Sequence, residues 1–441
     1  MTPVAASALL VLTLMVLFGP RLWALGALAA GALYLTMGHY VNVFGANLYP
    51  IRILVYVAFT RVVLRGEFKA APLNRIDVAL LLAFTYRTTL FLLNANGNSI
   101  GAIALWLDVV CAYFGCRGMV RSVADLQWLL PFMVILLLPY TAIVAWESQT
   151  GVNLFSIVGG IERQDYRGDR PRCLGTFGHA TLLGTFGASF IPLYLAAWVA
   201  RAGRVWPLLG VSLCGALVYF ANSGGPLTLV AIGLVGWLLW PLRGQMRTIR
   251  LAGLVALVVL TLLMQAPVWY LPAKVSALTG GDGWHRSYLM DVALHHLSEW
   301  WLAGMSILET QHWFSYTVAS GGADLINYYL DFGLAGGAVA VALLIMLIIR
   351  AFQAIGNELT AAESRPELRQ EALMRWGLGV VLSQHVFNWL GLVYFDQYFV
   401  FCFLQLAAVS ACSSHPEEAQ TPEVLDAPQS VVAFRRGSVP F

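Results

Sequence analysis

Four arginines crowd one ten-residue stretch, Arg163, Arg167, Arg170 and Arg172, and a fifth, Arg286, stands in a second polar stretch, GWHRSYLMDVALHHLSEWWLAGMS. A guanidinium is a planar fork of donors that matches phosphate oxygens and does not lose its charge. Such a set suits an anionic head group, for example a lipid pyrophosphate. A local account competes with it, because Glu162, Asp165 and Asp169 lie among the first four and can pair with them. That account weighs more on Arg163 and Arg167 than on Arg172 and Arg286. Candidates to take a proton from a reacting hydroxyl are Asp324, His179, His285 and His312. Asp324 either caps a helix starting near Leu325 or, partly buried, becomes a stronger base. His179 either bonds an anionic ligand such as phosphate or simply ends a helix; His295 and His296 read as structural. The nearest paired carboxylates, Asp165 and Asp169 in DYRGDR, are already balanced by arginine, so no metal site is expected.

The elements that hold these residues have to be membrane helices. Of the 441 residues, 59% are hydrophobic and 11% charged, and mean hydropathy is +0.72; soluble domains carry about 25% charged residues. A net charge of +3 gives no argument for nucleic acid. Six cysteines without a CxxC spacing indicate neither zinc nor a redox pair. Apolar runs at 4–19, 22–38, 48–64, 76–94, 99–116, 126–146, 176–200, 205–221, 226–241, 251–271, 323–349, 376–393 and 397–411 predict roughly 12–13 transmembrane helices. The expected fold is an all-α polytopic membrane protein over residues 1–411, followed by a disordered cytoplasmic tail, 412–441. Of the 26 Lys and Arg residues, 18 fall on one set of alternate loops, which marks that side as cytoplasmic. The opposite side has six, all in loops 147–175 and 272–322: the four crowded arginines, Lys274 and Arg286. Long ordered loops are usually functional. The second loop has apolar residues near helical spacing, and Trp300 and Trp301 suit a helix resting in the head-group layer.

Two arginines fall inside spans. Arg87 and Asp108 flank the NANGN turn at similar depth, roughly 10–15 Å in at 1.5 Å per residue, and so are expected to pair across that hairpin. Arg52 has no acid nearby in sequence and is a candidate for a lipid phosphate. Tyr328, Tyr329, Trp313 and Trp300 could stack on sugar rings, though lipid anchoring explains them more simply.

Four segments, in order, resemble a known family. RCLGTFGHATLLGTFGASFIPL (172–193) is similar to the Arg-x-x-Gly-x-Phe-Gly-His segment of bacterial O-antigen ligases and exopolysaccharide polymerases. ANSGGPLTLV (221–230) looks like their Ser-Gly-Gly-Pro turn. HRSYLMDVALHHLSEWWLAGMS (285–306) resembles their arginine-bearing loop helix, and DLINYYLDFGLAGGAVA (324–340) resembles their next helix start. The resemblance implies a GT-C-like glycosyltransferase of the bacterial inner membrane, metal-independent, without cofactor, with its site on a large, partly helical periplasmic loop. It would take glycan from undecaprenyl pyrophosphate, either polymerising repeat units or ligating the chain to lipid A core or protein. It also implies a glycan acceptor, membrane lipids, a chain-length regulator and a flippase as partners. By motif position Arg172 and Arg286 would bind the pyrophosphate, with Gly175 and Gly178 allowing close approach; Arg170, His179, His285, Asn327 and Tyr328 are further binding candidates. The family often has His before the motif asparagine. Here Ile326 precedes Asn327, which turns attention to Asp324 and favours the polymerase branch. A lipid or anionic-solute transporter is the alternative from another class, but no repeated halves are visible.

Overall fold

The computed structural model describes residues 1–43, 45–70, 72–94, 99–162, 165–279, 283–314, 326–363 and 365–412. A helix lies on each apolar run: α1 (Pro3–Phe18), α2 (Arg21–Tyr34), α3 (Pro50–Leu64), α4 (Arg75–Leu93), α5 (Ser99–Met119), α6 (Val123–Thr150), α7 (Ala180–Val199), α8 (Val205–Phe220), α9 (Gly224–Leu238) and α10 (Met246–Leu263). The second loop adds α11 (Leu271–Thr279), α12 (Gly283–His295) and α13 (Leu297–Trp300), and the chain closes with α14 (Tyr328–Glu363), α15 (Arg369–Asn388) and α16 (Tyr398–Cys412). Among the described residues, strands are confined to two hairpins, β1 (Val41–Val43) with β2 (Ala46–Leu48) and β3 (Asp165–Arg167) with β4 (Arg170–Arg172). Among the described residues, six helices are long and apolar enough to cross a membrane: Arg75–Leu93, Ser99–Met119, Val123–Thr150, Ala180–Val199, Trp240–Leu263 and Tyr328–Glu363. The protein is thus an all-α polytopic membrane protein. Four shorter apolar helices, α1, α8, α9 and α16, accompany the six.

Burial follows apolarity only in part. α7 and α16 are enclosed by neighbours, whereas α10 has no buried residue and presents Leu251, Leu254 and Leu262 outward. An apolar helix bare on every side fits lipid, not water, as its solvent.

Three arginines of the loops expected to be cytoplasmic tie separate elements together. Arg21 grips Asp125 through both oxygens at 2.7 and 2.8 Å, and Asp125 itself bonds the backbone of Ser122 at the start of α6. Arg61, 2% exposed, bonds Glu67 and the carbonyls of Val16 and Gly19 at the end of α1. There a cation satisfies the orphan carbonyls of a helix C-terminus. Arg117 lies 3.6 Å from Asp77 and donates to Ser410.

Two expected pairings are corrected. Arg87 does not pair with Asp108; it reaches Asp331 on α14 at 2.7 Å, and Asp108 instead takes Arg52 at 2.8 Å together with the Tyr56 hydroxyl. Arg52 also donates to the Asn47 carbonyl, so its guanidinium is held by protein and not left for a lipid phosphate. Depth along two hairpin helices was the sole guide in the sequence, and the partners came from other helices.

α14 is broken at Gly336 and Gly337, where φ of Gly337 is +72°. The break admits the chain that follows α13: the Met305 amide donates to the Leu334 carbonyl at 2.8 Å, and the Ala338 amide to the Trp301 carbonyl at 2.7 Å. A Cβ on Gly337 would stand 2.5 Å from the Leu302 oxygen, so glycine is required there for space as well as conformation. Trp300, expected in the head-group layer, is instead buried with Leu289, Ala293 and Leu334, its indole N–H on the Ala293 carbonyl. Trp301 is exposed. The described part of the second loop is therefore folded, and its α12–α13 portion packs onto α14. The C-terminal helix runs one residue beyond the expected end, to a buried Cys412; residues 413–441, the rest of the expected tail, lie outside the described residues.

Candidate functional site

The arginine-rich stretch forms the β3–β4 hairpin, with Asp165 opposite Arg172 and Arg167 opposite Arg170 across a turn at Gly168. The residues before α9 hold it in place. Asn222 donates to the carbonyls of Arg167 and Arg170 at 3.3 and 3.2 Å, and the Cys173 amide bonds Phe220. Gly224, Gly225 and Pro226, expected in a turn, form the first turn of α9 instead. Arg170 is exposed and lies over the Tyr219 ring at 4.0 Å. Arg172 is half-buried. Its Nη2 reaches the Thr181 hydroxyl at 3.4 Å, and that hydroxyl shares a hydrogen bond with Ser223. Its Nε is enclosed and finds no hydrogen-bond partner among the described residues. Burial lowers the pKa of this guanidinium, Asp165 opposing the effect and Arg167 adding to it. A charged donor kept without an acceptor is costly, by about 1–3 kcal/mol or more for a charged group. Arg163 lies outside the described residues.

Gly175 and Gly178 are close-approach points, but protein groups occupy the approach. The Leu174 and Gly175 amides donate to the two oxygens of Glu147 at 2.7 and 2.9 Å, and the left-handed Gly175 (φ +58°) sits under the Tyr140 hydroxyl. The Gly178 amide donates to Asp396 Oδ2. His179 is the N-cap of α7, its Nδ1 accepting from the Thr181 amide at 3.1 Å.

The loop 389–397, which joins α15 to α16, is where the separate segments meet. Besides Asp396 on Gly178, Gln397 donates to the Thr176 carbonyl at 2.9 Å. From the other side, Asn327 donates to the Leu390 carbonyl at 3.1 Å and the Tyr328 amide to that of Trp389 at 2.8 Å. Arg286, on α12, lies against Gly391. Both motif arginines therefore belong to segments docked on one nine-residue loop. His285 is half-buried beside Arg286. Beneath the loop, His385 bonds Tyr394 and Gln405 at 2.9 and 2.7 Å, and Asn388 donates to the same tyrosine.

Asn327, not Asp324, starts α14: its Oδ1 accepts from the amides of Tyr329 and Leu330. That corrects the helix start expected near Leu325; Asp324 itself lies outside the described residues. Tyr328 turns its ring toward Phe332, Trp389 and Tyr394 and so belongs to an aromatic cluster.

Asp396 is the residue that sequence reasoning missed. It adopts φ +61°, uncommon for a residue with a side chain, and burial pushes its carboxyl up to about 6, against the amides of Gly178 and Gln397. A carboxylate poised there can exchange a proton near neutrality. One signal was available: Asp396 is the sole acidic residue between Glu371 and Glu417, in an otherwise apolar run.

No family model matches the chain, and no curated protein matches it.

Proposed function

We propose that the chain is a glycosyltransferase of the bacterial inner membrane that polymerises undecaprenyl-pyrophosphate-linked repeat units on the periplasmic face. The observation that carries the proposal is the convergence of the Arg172 and Arg286 segments on the loop holding Asp396. In this reading the chain crosses the bilayer about 12–13 times in a GT-C-like arrangement, and loops 147–175 and 272–322 face the periplasm. The acceptor hydroxyl attacks the anomeric carbon and the bond to the β-phosphate oxygen breaks. Attack opposite the leaving group inverts the configuration. Arg172 and Arg286 stabilise the charge that develops on the leaving pyrophosphate, as preorganised donors do in a site of low dielectric. Asp396, or Asp324, takes the proton. The Arg172 Nη2 contact with Thr181 is long, at 3.4 Å, and a phosphate oxygen offers it a charge-assisted alternative, which favours anion binding at Arg172.

The test is the lipid-linked species that accumulates when the gene is deleted. Single repeat units are expected. Accumulated long chains would overturn polymerisation in favour of ligation to lipid A core or protein, and an unchanged lipid pool would overturn the transferase reading altogether.

A further inference from the structure

Three side chains of the second loop form a constellation that phosphate chemistry does not use. His296 Nδ1 lies 2.7 Å from Glu299 Oε1, and His312 Nε2 lies 3.0 Å from Glu299 Oε2. The three donor atoms all fall within 4.8 Å of one another. His296 and Glu299 flank the start of α13, and His312 comes from the short 3-10 turn Ile307–Trp313, so the group bridges two pieces of chain.

The proton positions make the cluster informative. His312 Nδ1 faces the Glu309 carbonyl, which can only accept, so the ring proton belongs on Nδ1. Nε2 is then left with a lone pair aimed at a carboxylate oxygen, and two lone pairs repel. A cation held between them would be shared by both groups, and the donor atoms stand close enough to share one. Glu299 is also held in place: the Trp313 indole donates to its Oε2 at 2.9 Å, and the His296 ring stacks on Trp313 at 5.1 Å. Carbonyl and indole contacts of this kind orient metal ligands from outside the first shell.

We propose that His296, Glu299 and His312 bind a divalent transition-metal ion, with zinc as the best fit to two imidazoles and one carboxylate. Three protein ligands of this type are the usual complement of an open tetrahedral zinc site, the fourth position taking water. Two donors about 2.0 Å from a shared ion stand roughly 3.3 Å apart, so the imidazoles close by an ångström or so, a movement open to the exposed His312. Ligand groups must be unprotonated, so any proton held between these donors leaves to solvent as the ion binds. It ties the 3-10 turn to α13 and so stiffens the loop that carries Arg286. The inference does not depend on the transferase reading.

Zinc alone is the probe. Full-length protein in detergent, stripped with a chelator, is titrated with Zn²⁺ against a chromophoric competitor, and Co²⁺ is then substituted for its visible absorption. The wild type is expected to take one ion per chain and to show tetrahedral cobalt bands. Glu299→Gln and His312→Gln should each weaken zinc by at least about 100-fold, whereas His295→Ala, on an exposed neighbour, should leave it unchanged. Wild-type protein that competes no better than the Glu299→Gln/His312→Gln double variant overturns the proposal. Absence of cobalt bands in the wild type overturns it without recourse to any variant.

Discussion

Arg286 lies directly on Gly391: a methyl group built on that glycine would stand 2.6 Å from Nη1 and 3.1 Å from Cδ. The guanidinium of α12 is thus seated by the backbone of the loop between α15 and α16. Glycine at 391 is what lets the two come so close.

Gly391→Ala should therefore displace Arg286 without removing it. A misplacement of about an ångström costs on the order of 100-fold in rate. Polymer formation by membranes carrying the variant is expected to fall by about that factor, with the protein still inserted and its melting temperature little changed. Wild-type polymer from Gly391→Ala would mean that the seat of Arg286 is irrelevant to turnover.

Arg172 offers a contrast between stability and activity. Its enclosed Nε lacks an acceptor among the described residues, and burial works against its charge. Removing such a group relieves a cost, so Arg172→Ala should melt no lower than wild type while abolishing product. Arg172→Lys should fail too, because a point charge does not reproduce a bidentate fork. A variant that both melts several degrees lower and retains product would show a purely structural arginine.

The carboxyl of Asp396 has a folded pKa of about 6 against an ordinary 3.8. A raised carboxyl pKa means that the native state holds its proton longer than the unfolded chain does. The stability Asp396 contributes is full below about 4 and declines as pH rises through about 6. Activity should run the opposite way, rising through pH 6 as the base becomes available. Asp396→Asn should lose that ascending limb in a pH–rate profile, and a profile identical to wild type would remove Asp396 from the chemistry.

Within the helices, the ion pairs Arg52–Asp108 and Arg87–Asp331 make a prediction about stability alone. Breaking a buried pair strands a charge at a cost of about 3–5 kcal/mol, whereas replacing both partners with apolar residues is often nearly neutral. Asp331→Leu should lower the thermal midpoint sharply, and Arg87→Leu/Asp331→Leu should recover most of the loss. A double variant as unstable as the single one would argue against the pairing.

How far these relationships were legible follows from what each residue must satisfy. The helices declared themselves, because an apolar stretch in a bilayer has to close its backbone hydrogen bonds within itself. The two arginine-bearing loops drew notice because the charge pattern sets their basic residues apart from the rest. Partners were not. Arg52 and Asp108 are 56 positions apart and Arg87 and Asp331 are 244 apart; depth in the membrane restricts such choices without ranking them. Asp396 escaped notice because its role comes from what packs around a short loop, and a short loop looks like any other in sequence. Trp300 misled for a related reason. Its type suits an interface, but a glycine at 333 opens a seat for the ring on α14.

The break in α14 has a mechanical consequence. The chain after α13 is spliced into that helix by two main-chain bonds, one on each side of the paired glycines. Pulling this strand away would leave an amide and a carbonyl bare in a greasy layer, so its downstream end behaves as a fixed hinge post. Any rearrangement of the loop that carries Arg286 must then pivot about that post or leave it standing.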